Sequence, residues 1–274
     1  MLLVNEQPVT FDNAGEVTIG EIADRYKPGA DIFIINGYPV AAEALVRDGD
    51  SCTLIRRGEI PTPEEMHILL SARHTPGIQY KIRKSSIAVL GLGGLGSTVA
   101  GAMAKIGIGK MLVSDYDRVD PSNLNRQHYF VDQIGMMKTR ALRDNLLRMN
   151  PSLSLQLIEE RLTESDIPAL FRHVDVLIEC FDDPAMKAAT LRSVLTQMPN
   201  VAYIGSSGMA GYGKNNSIVT RMIRPGIYIV GDEESAARPG QGLMAPRVGI
   251  AAHHQANQAL RLLLQVDPGR ISEK

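Results

Sequence analysis

The clearest hydrophobic pattern in the chain is a short apolar run, then a glycine-rich turn, a helical stretch and a second apolar run that ends in acids. The first run is Ile87–Leu90, the turn is Gly91–Gly96 with the sequence GLGGLG, and the second run leads into Val113–Asp117. Short apolar runs bounded by turn signals favour buried strands of a parallel sheet. The pattern therefore predicts a strand, a glycine loop, a helix and a second strand.

The glycine loop is a candidate phosphate site. Glycine lets the backbone turn tightly and approach a ligand closely, and the following helix offers unpaired N–H groups and the positive end of its dipole. Asp115 stands where a carboxylate can accept hydrogen bonds from a ribose. Such loops also occur for purely structural reasons, so the loop alone leaves both interpretations open. The candidate nucleotide-binding glycines are Gly91, Gly93, Gly94 and Gly96.

A cluster of polar residues follows the second strand within one short loop. It begins with Asp115 and Asp117, passes through an Asp-Pro-Ser turn and reaches Arg126. The planar guanidinium of Arg126 suits phosphate oxygens, and Lys138, on the next predicted helix, offers a mobile point charge. Together these cations would neutralise a triphosphate. The alternative is an ordinary solvated loop with a proline turn.

A third apolar run, Val174–Cys180, predicts another buried strand, and Asp182 follows it. In open α/β sheets ligands bind at the carboxyl ends of the strands, where Asp182 would emerge. A carboxylate there can hold Mg²⁺, which bridges phosphates and keeps several waters. The alternative is that this acid caps the helix that begins near Pro184, a role that Asp183 fills at least as well.

Taken in order, these motifs resemble the adenylating domain of the ThiF/MoeB family, the bacterial relatives of ubiquitin-activating enzymes. The resemblance covers Gly91 to about Asn216 and includes the glycine loop, the Asp-x-Asp strand end, a Ser-Asn-Leu-x-Arg-Gln turn, a later lysine and the Asp-Asp strand end. It implies that Asp115 binds the ribose of ATP and that Asp182 holds Mg²⁺. The residues that it places around the phosphates are Asn123, Arg126, Gln127 and Lys138.

The reaction implied by the resemblance is attack by the C-terminal glycine carboxylate of a small ubiquitin-like carrier on the α-phosphate of ATP. The products are an acyl-adenylate and pyrophosphate. The carrier implied is a ThiS-like sulfur carrier for the thiazole half of thiamine, with a homodimer and a separate sulfur donor protein as partners. The alternatives are adenylation of a molybdopterin carrier or a tRNA base, a NAD-dependent oxidoreductase, and a nonenzymatic adaptor that binds ATP.

The first sixty residues predict a separate small domain. Two short strands around Leu2–Phe11 precede a helix at Thr18–Tyr26, where Thr18 and Glu21 have capping-box spacing, and strands are predicted at Ile32–Ile35 and Cys52–Ile55. The segment resembles a ThiS-type β-grasp. A working carrier ends in a free Gly-Gly carboxylate, whereas this module continues into the rest of the chain. It is therefore interpreted as a docking module or as a cover for an apolar face of the main domain.

The predicted fold is an α/β, Rossmann-like adenylating domain with a mainly parallel sheet, preceded by a small α+β ubiquitin-like domain. The predicted boundaries are 1–60 for the β-grasp, 61–84 for a linker helix and 85–274 for the adenylating domain. Thr62 and Glu65 have N-terminal helix spacing in the linker. Arg73 stands where the family has an arginine that reaches the partner subunit's ATP site. A solvated arginine at a helix end is the alternative.

Cysteine content and composition narrow the function classes. The chain has two cysteines, Cys52 and Cys180, so no zinc site of paired Cys-x-x-Cys type is expected, and Cys180 is interpreted as a small buried hydrophobe. The net charge of −1 argues against an electrostatic nucleic-acid binder. Without a bilayer-spanning apolar run or signal-peptide pattern, we expect a cytoplasmic protein without a membrane partner.

Overall fold

The structure is a computed structural model, and it describes residues 1–10, 16–62, 65–66, 68–69, 72, 74 and 78–266. The chain forms two compact units. The first comprises Met1–Lys81 with Asn150–Ser152, and the second comprises Ile82–Met149 with Leu153–Lys274. The boundaries expected from the sequence stay a prediction. Within the described residues, no helix combines the length and apolar character needed to cross a membrane.

The described residues of the first unit include a five-stranded sheet and an eight-residue helix that shares its core. The sheet has the order β2-β1-β5-β3-β4, with β1 and β5 parallel and the other pairs antiparallel. This is a β-grasp arrangement, as predicted. Its elements are Leu2–Val4 (β1), Gln7–Val9 (β2), Ile19–Tyr26 (α1), Ile32–Ile35 (β3), Tyr38–Val40 (β4) and Ser51–Ile55 (β5).

Alternation along the strands builds the core of the first unit. Leu2, Val4, Cys52 and Leu54 are buried in one cluster with residues of α1, because every second side chain of a strand faces the same side. The predicted capping box is confirmed: the hydroxyl oxygen of Thr18 accepts the N–H of the N3 glutamate, whose carboxylate accepts the N–H of Thr18.

The sequence interpretation did not include β4. This three-residue strand pairs with β3 through a turn at Asn36 and Gly37, whose φ angles are 53° and 88°. An Asn-Gly pair with two positive φ angles forms the tight turn that matches strand twist. The Asn-Gly dipeptide was therefore a signal that could have located the strand.

The second unit is a seven-stranded sheet with helices. Its strands are Ser86–Leu90 (β6), Lys110–Ser114 (β7), Ser154–Ile158 (β8), Val176–Glu179 (β9), Ala202–Ser206 (β10), Val219–Arg224 (β11) and Ile227–Gly231 (β12). Its long helices are Gly94–Lys105 (α3), Lys138–Met149 (α4), Pro184–Gln197 (α6) and Ala245–Leu263 (α7). Two shorter helices are Ile78–Lys84 (α2), which crosses the boundary between the units, and Asp166–Phe171 (α5).

The sheet of the second unit has the order β11-β12-β10-β9-β6-β7-β8, and all pairs are parallel except β11 with β12. Counted from β6, the parallel strands lie in the order 3-2-1-4-5-6 of a Rossmann fold. From β6 the chain adds β7 and β8 on one side and then returns to add β9 on the other side, as the hydrogen-bonded neighbour of β6. This switch point is where ligands bind in such sheets, and it positions the candidate site.

Candidate functional site

The glycine loop lies at the switch point, between the end of β6 and the start of α3. Gly91 has a φ of 86°, and a Cβ built on it would lie 2.8 Å from the carbonyl oxygen of Cys180, which follows β9. A Cβ on Gly96 would overlap the carbonyl oxygen of Gly91. These two glycines are required by packing, so the structural interpretation of the loop is correct for them.

The other two loop glycines are in a different environment. Gly93 and Gly94 are partly exposed, and Gly93 is the N-cap of α3 without a side-chain hydrogen bond. The first N–H groups of a helix have no acceptor within the helix. Since they also lie at the positive end of the helix dipole, they are candidate donors to a phosphate group.

The carboxylate of Asp115 contacts the glycine loop directly. It accepts the N–H of Leu92 at 2.7 Å and the N–H of Asp117 at 2.8 Å, and its side chain is 8% exposed. Burial raises the pKa of Asp115, although the Lys138 ammonium and the two N–H groups oppose the shift. Each carboxylate oxygen can accept a further hydrogen bond, so the contacts inside the protein leave room for a ribose hydroxyl.

Lys138 begins α4 next to the same carboxylates. Its Nζ lies 2.9 Å from Oδ2 of Asp117 and 3.9 Å from Oδ2 of Asp115, and its side chain is 8% exposed. The ammonium is buried and held in an ion pair, because burial of a charge requires an opposite charge nearby.

Within the Ser-Asn-Leu-x-Arg-Gln turn, Asn123 stabilises the turn itself and Arg126 adjoins the glycine loop. Asn123 closes a short 3-10 turn by accepting the N–H of Asp120 at 3.0 Å, which is a structural role. Arg126 donates from Nη1 to the carbonyl oxygen of Ser122 and to Oδ1 of Asn125, and a Cβ on Gly94 would lie 3.2 Å from the Arg126 carbonyl oxygen. Arg126 thus adjoins the loop, with part of its guanidinium bound to its own turn.

Gln127 is buried beside the glycine loop. Its Nε2 lies 3.8 Å from the place where a Cβ on Gly93 would stand. Its Oε1 has no hydrogen-bond partner among the described residues. Because buried polar atoms are nearly always paired, this oxygen is free to accept a hydrogen bond from a ligand at the loop.

The acids after β9 separate into two roles. Asp183 caps α6 by accepting the N–H of Ala185 at 2.9 Å, as the sequence allowed. Asp182 is exposed at the carboxyl end of the sheet. Among the residues that the structure describes, no group of three or more His, Cys, Asp or Glu side chains is arranged to hold a metal ion.

A buried charged network behind Asp182 was missed at the sequence level. Glu179 ends β9, and its carboxylate accepts the N–H of Phe181 at 2.6 Å and lies 3.0 Å from Nζ of Lys187. Lys187 also donates to the carbonyl oxygen and hydroxyl of Ser206, the last residue of β10. Burial raises the pKa of Glu179, opposed by Lys187. An acid inside an apolar strand, followed by a lysine eight residues later, was the signal.

The cysteines have no role at this site as reactive thiols. Cys180 is buried and its Sγ lies 3.5 Å from Oε1 of Gln255. Burial raises the pKa of the Cys180 thiol, with the Glu179 carboxylate adding to the shift. This confirms the interpretation of Cys180 as a buried hydrophobe. Arg73 lies outside the described residues, so its predicted role is not part of this geometry.

Comparisons with known proteins agree with the two units. Residues 66–274 match the sequence profile of the ThiF family, and residues 1–58 match that of ThiS-like ubiquitin. The chain is 28% identical over 194 residues to the sulfur carrier protein ThiS adenylyltransferase of Escherichia coli, covering 69% of this chain and 76% of that protein.

Other relatives match over a smaller share of their length. The ubiquitin-like modifier-activating enzyme 5 of Caenorhabditis briggsae is 33% identical over 120 residues, which are 44% of this chain and 26% of that protein. The matched part thus spans about a quarter of that relative.

Among solved structures, the E. coli tRNA N6-threonylcarbamoyladenosine dehydratase in complex with ATP has a TM-score of 0.65 and 19% identity, covering 72% of this chain and 93% of that one. At this identity the likeness concerns the fold. The ThiF family profile covers more than half of the chain, which shows that this chain belongs to the ThiF family.

Proposed function

We propose that this protein is an ATP-dependent adenylyltransferase that activates the C-terminal glycine carboxylate of a ThiS-like sulfur carrier and releases pyrophosphate. The observation that carries the proposal is the contact between Asp115 and the glycine loop, with Lys138 buried beside it. In the proposal, Asp115 is the ribose acceptor, the glycine loop is the phosphate cradle and Lys138 is the cation, all at one switch point. Family membership and relatives named as adenylyltransferases support it.

The residues fit the charge problem of this reaction. A carboxylate is repelled by a triphosphate, so the protein must screen negative charge and align the attacking oxygen with the leaving pyrophosphate. In the proposed complex, the N–H groups at Gly93 and Gly94 contact phosphate oxygens, and Lys138 and Arg126 add positive charge. No side-chain nucleophile is needed, which agrees with the burial of both cysteines.

ATP binding would change the ion pair at Lys138. The ammonium is held by Asp117, whose side chain is half exposed, and more weakly by Asp115. A phosphate near this ammonium competes with Asp117 for the same donors. Asp117 would thus hold the lysine in place before the nucleotide arrives, and Gln127 would offer its unpaired oxygen to the ligand.

Asp182 fits a magnesium ion that phosphates and water also bind. Mg²⁺ in nucleotide sites takes one or two carboxylates and keeps several waters, and Asp182 is an exposed carboxylate at the edge of the sheet where the phosphates would lie. When bound, the ion would supply positive charge to the triphosphate. The role of the protein there is to place Asp182, which the Glu179 contact to Phe181 supports.

The ThiS-like carrier is the finer part of the proposal. The relative named as a ThiS adenylyltransferase supports it, and so does the fused unit that matches ThiS-like ubiquitin. That unit does not end in a free glycine carboxylate, since the chain continues past Gly58. We propose that it has a docking or covering role, that the acceptor is a separate carrier, and that the enzyme acts as a homodimer in which Arg73 reaches the partner's site.

The test is ATP–pyrophosphate exchange with Mg²⁺ and a panel of acceptors: a ThiS-like carrier, the same carrier without its last glycine, a molybdopterin carrier and tRNA. We expect exchange with the intact ThiS-like carrier alone, and its loss in Asp182→Ala. Exchange with another acceptor instead would contradict the carrier assignment. ATP binding without exchange in any mixture would favour a nonenzymatic adaptor.

A further inference from the structure

We infer that Tyr129 is a positioning residue that holds the peptide between Leu92 and Gly93 in the orientation needed to bind phosphate; this rests on the ATP site proposed above. The Tyr129 hydroxyl donates to the carbonyl oxygen of Leu92 at 2.8 Å. The tyrosine is 6% exposed, and Leu92 is fully buried. This contact therefore lies beneath the glycine loop, on the side away from solvent.

Leu92 is held at both of its peptide groups. Oδ2 of Asp115 accepts the Leu92 N–H at 2.7 Å, and Tyr129 binds the Leu92 carbonyl. The N–H belongs to the peptide plane shared with Gly91, whereas the carbonyl belongs to the plane shared with Gly93. Two successive peptide planes of the loop are thus each fixed by one side chain.

The second of these planes determines where the Gly93 N–H points. A peptide bond is planar and trans, so its carbonyl and its N–H point in opposite directions, and the described residues contain no cis peptide. When Tyr129 draws the Leu92 carbonyl into the core, the Gly93 N–H turns away from the core. Gly93 and Gly94 are partly exposed, while Leu92, Leu95 and Gly96 are buried.

The hydroxyl is a dependable donor in this position. Burial raises the pKa of Tyr129, and the nearby carboxylates of Asp115 and Asp117 add to the shift, so the proton stays on the oxygen throughout the neutral range. Backbone donors bind a charged group best when they need no rearrangement. Without the hydroxyl, the Leu92–Gly93 peptide would be free to rotate, and part of the phosphate affinity would be used to fix it again.

Tyr129→Phe removes this donor and keeps the ring. Tyr228→Phe is the matched control, because Tyr228 is equally buried and its hydroxyl contacts the sulfur of Met222 rather than the loop. For the intact protein and both variants, we would measure dissociation constants of ATP and ADP by calorimetry, and that of adenosine by competition. Thermal unfolding without nucleotide would be recorded in parallel.

We expect Tyr129→Phe to bind ATP and ADP about 3- to 10-fold more weakly, which is the effect of one hydrogen bond. The affinity of Tyr129→Phe for adenosine should equal that of wild type, because adenosine has no phosphate. Tyr228→Phe should bind all three ligands as wild type does, because its hydroxyl does not contact the loop. In the exchange assay, the KM for ATP should rise while the KM for the acceptor stays constant. A merely structural role would weaken all three ligands alike or lower only the melting temperature.

Three results would overturn the inference. Equal ATP affinity in wild type and Tyr129→Phe would show that the hydroxyl does not position the loop, while the proposed function would stand. An equal loss for adenosine would remove the phosphate-specific role. Recovery of Tyr129→Phe only as unfolded protein would make the hydroxyl a folding requirement. If the wild-type protein itself binds no ATP, the proposed function is wrong as well.

Discussion

At the scale of single residues, buried charges define the candidate site. The buried Lys138 is paired with the half-exposed Asp117 and lies near the buried Asp115, and the buried Glu179 is paired with Lys187. Removal of one partner from a buried ion pair leaves an uncompensated charge and is strongly destabilising. Variants at these residues must therefore be measured for stability as well as for ligand binding.

Lys138→Met tests this double role. We expect a loss of unfolding free energy on the order of 3 kcal/mol, because Asp115 would be buried without its cation. ATP affinity should also fall. Urea unfolding and ATP titration measure the two effects. Lys110→Met, at an exposed lysine that begins β7, is the control and should leave both near wild type. An unchanged stability in Lys138→Met would show that the buried pair is not energetically significant.

Asp232, which lies away from the candidate site, should make the stability of the protein depend on pH. Burial would raise its pKa, but the N–H groups of Ser235 and Glu234, the Ser235 hydroxyl and Arg247 together lower it to about 2. A lowered carboxylate pKa stabilises the fold above the unfolded value near 4, and this is lost as the pH falls towards 2. The contribution is about 2 kcal/mol at neutral pH.

The comparison is wild type against Asp232→Asn by urea unfolding at pH 7 and at pH 3. Wild type should be the more stable protein at pH 7, and the difference should shrink as the pH falls between about 4 and 2. Because Arg247 donates to Asp232 at 2.5 Å and is itself buried, the variant also leaves a buried cation. A difference that stays constant with pH would contradict the assigned pKa.

At the scale of elements, the glycine loop contains packing positions and candidate binding positions. Gly96 allows the backbone of Gly91 to approach closely, and Gly91 allows the segment after β9 to do the same. Gly93 and Gly94 are partly exposed at the start of α3. The packing interpretation therefore holds for Gly91 and Gly96, whereas phosphate binding at Gly93 and Gly94 stays a proposal. A substitution at a packing glycine should act through folding.

Gly96→Ala and Gly249→Ala should have opposite effects. A Cβ on Gly96 would overlap the backbone of Gly91, whereas a Cβ on Gly249, within α7, meets nothing within 4 Å. We expect Gly96→Ala to cost about 3 kcal/mol or more and Gly249→Ala to stabilise by roughly 0.5–1 kcal/mol. Thermal and urea unfolding measure both. A tolerated Gly96→Ala would contradict the close approach inside the loop.

The neighbouring acids at the start of α6 give a matched pair. Asp183→Ala removes the N-cap and should cost about 1 kcal/mol of stability while pyrophosphate exchange continues. Asp182→Ala removes an exposed carboxylate and should leave the melting temperature near wild type while exchange is lost. If Asp183→Ala abolished exchange and Asp182→Ala lowered the melting temperature instead, the roles assigned to the two acids would be wrong.

These elements show what the sequence could predict. The β6 and β9 strands and the capping box at Thr18 follow from apolar runs and local hydrogen bonds, and the structure confirms them. Residues such as Asp115 were found because they follow a recognisable strand. Tyr129 and Glu179 could not be given their roles, because their partners are Leu92 and Lys187, which only the folded chain brings to them.

At the scale of the whole molecule, strand order creates the site. The neighbours at the switch point, β6 and β9, are separated by more than eighty residues along the chain. Local patterns predict such strands but not which of them pair, so the sheet order could be expected only through resemblance. The near-neutral charge of −1 supplies no long-range attraction for polyanions. Nucleotide binding would therefore depend on the few cations and N–H groups at this edge.

The most direct test of the central claim is the mass of the carrier after reaction. The intact protein, ATP, Mg²⁺ and a ThiS-like carrier would be mixed with a pyrophosphatase, and the carrier analysed by intact mass spectrometry. The account predicts that the carrier gains the mass of an adenylyl group, and that a carrier without its last glycine gains none. An unmodified intact carrier, despite measurable ATP binding by the protein, would contradict the proposed activity.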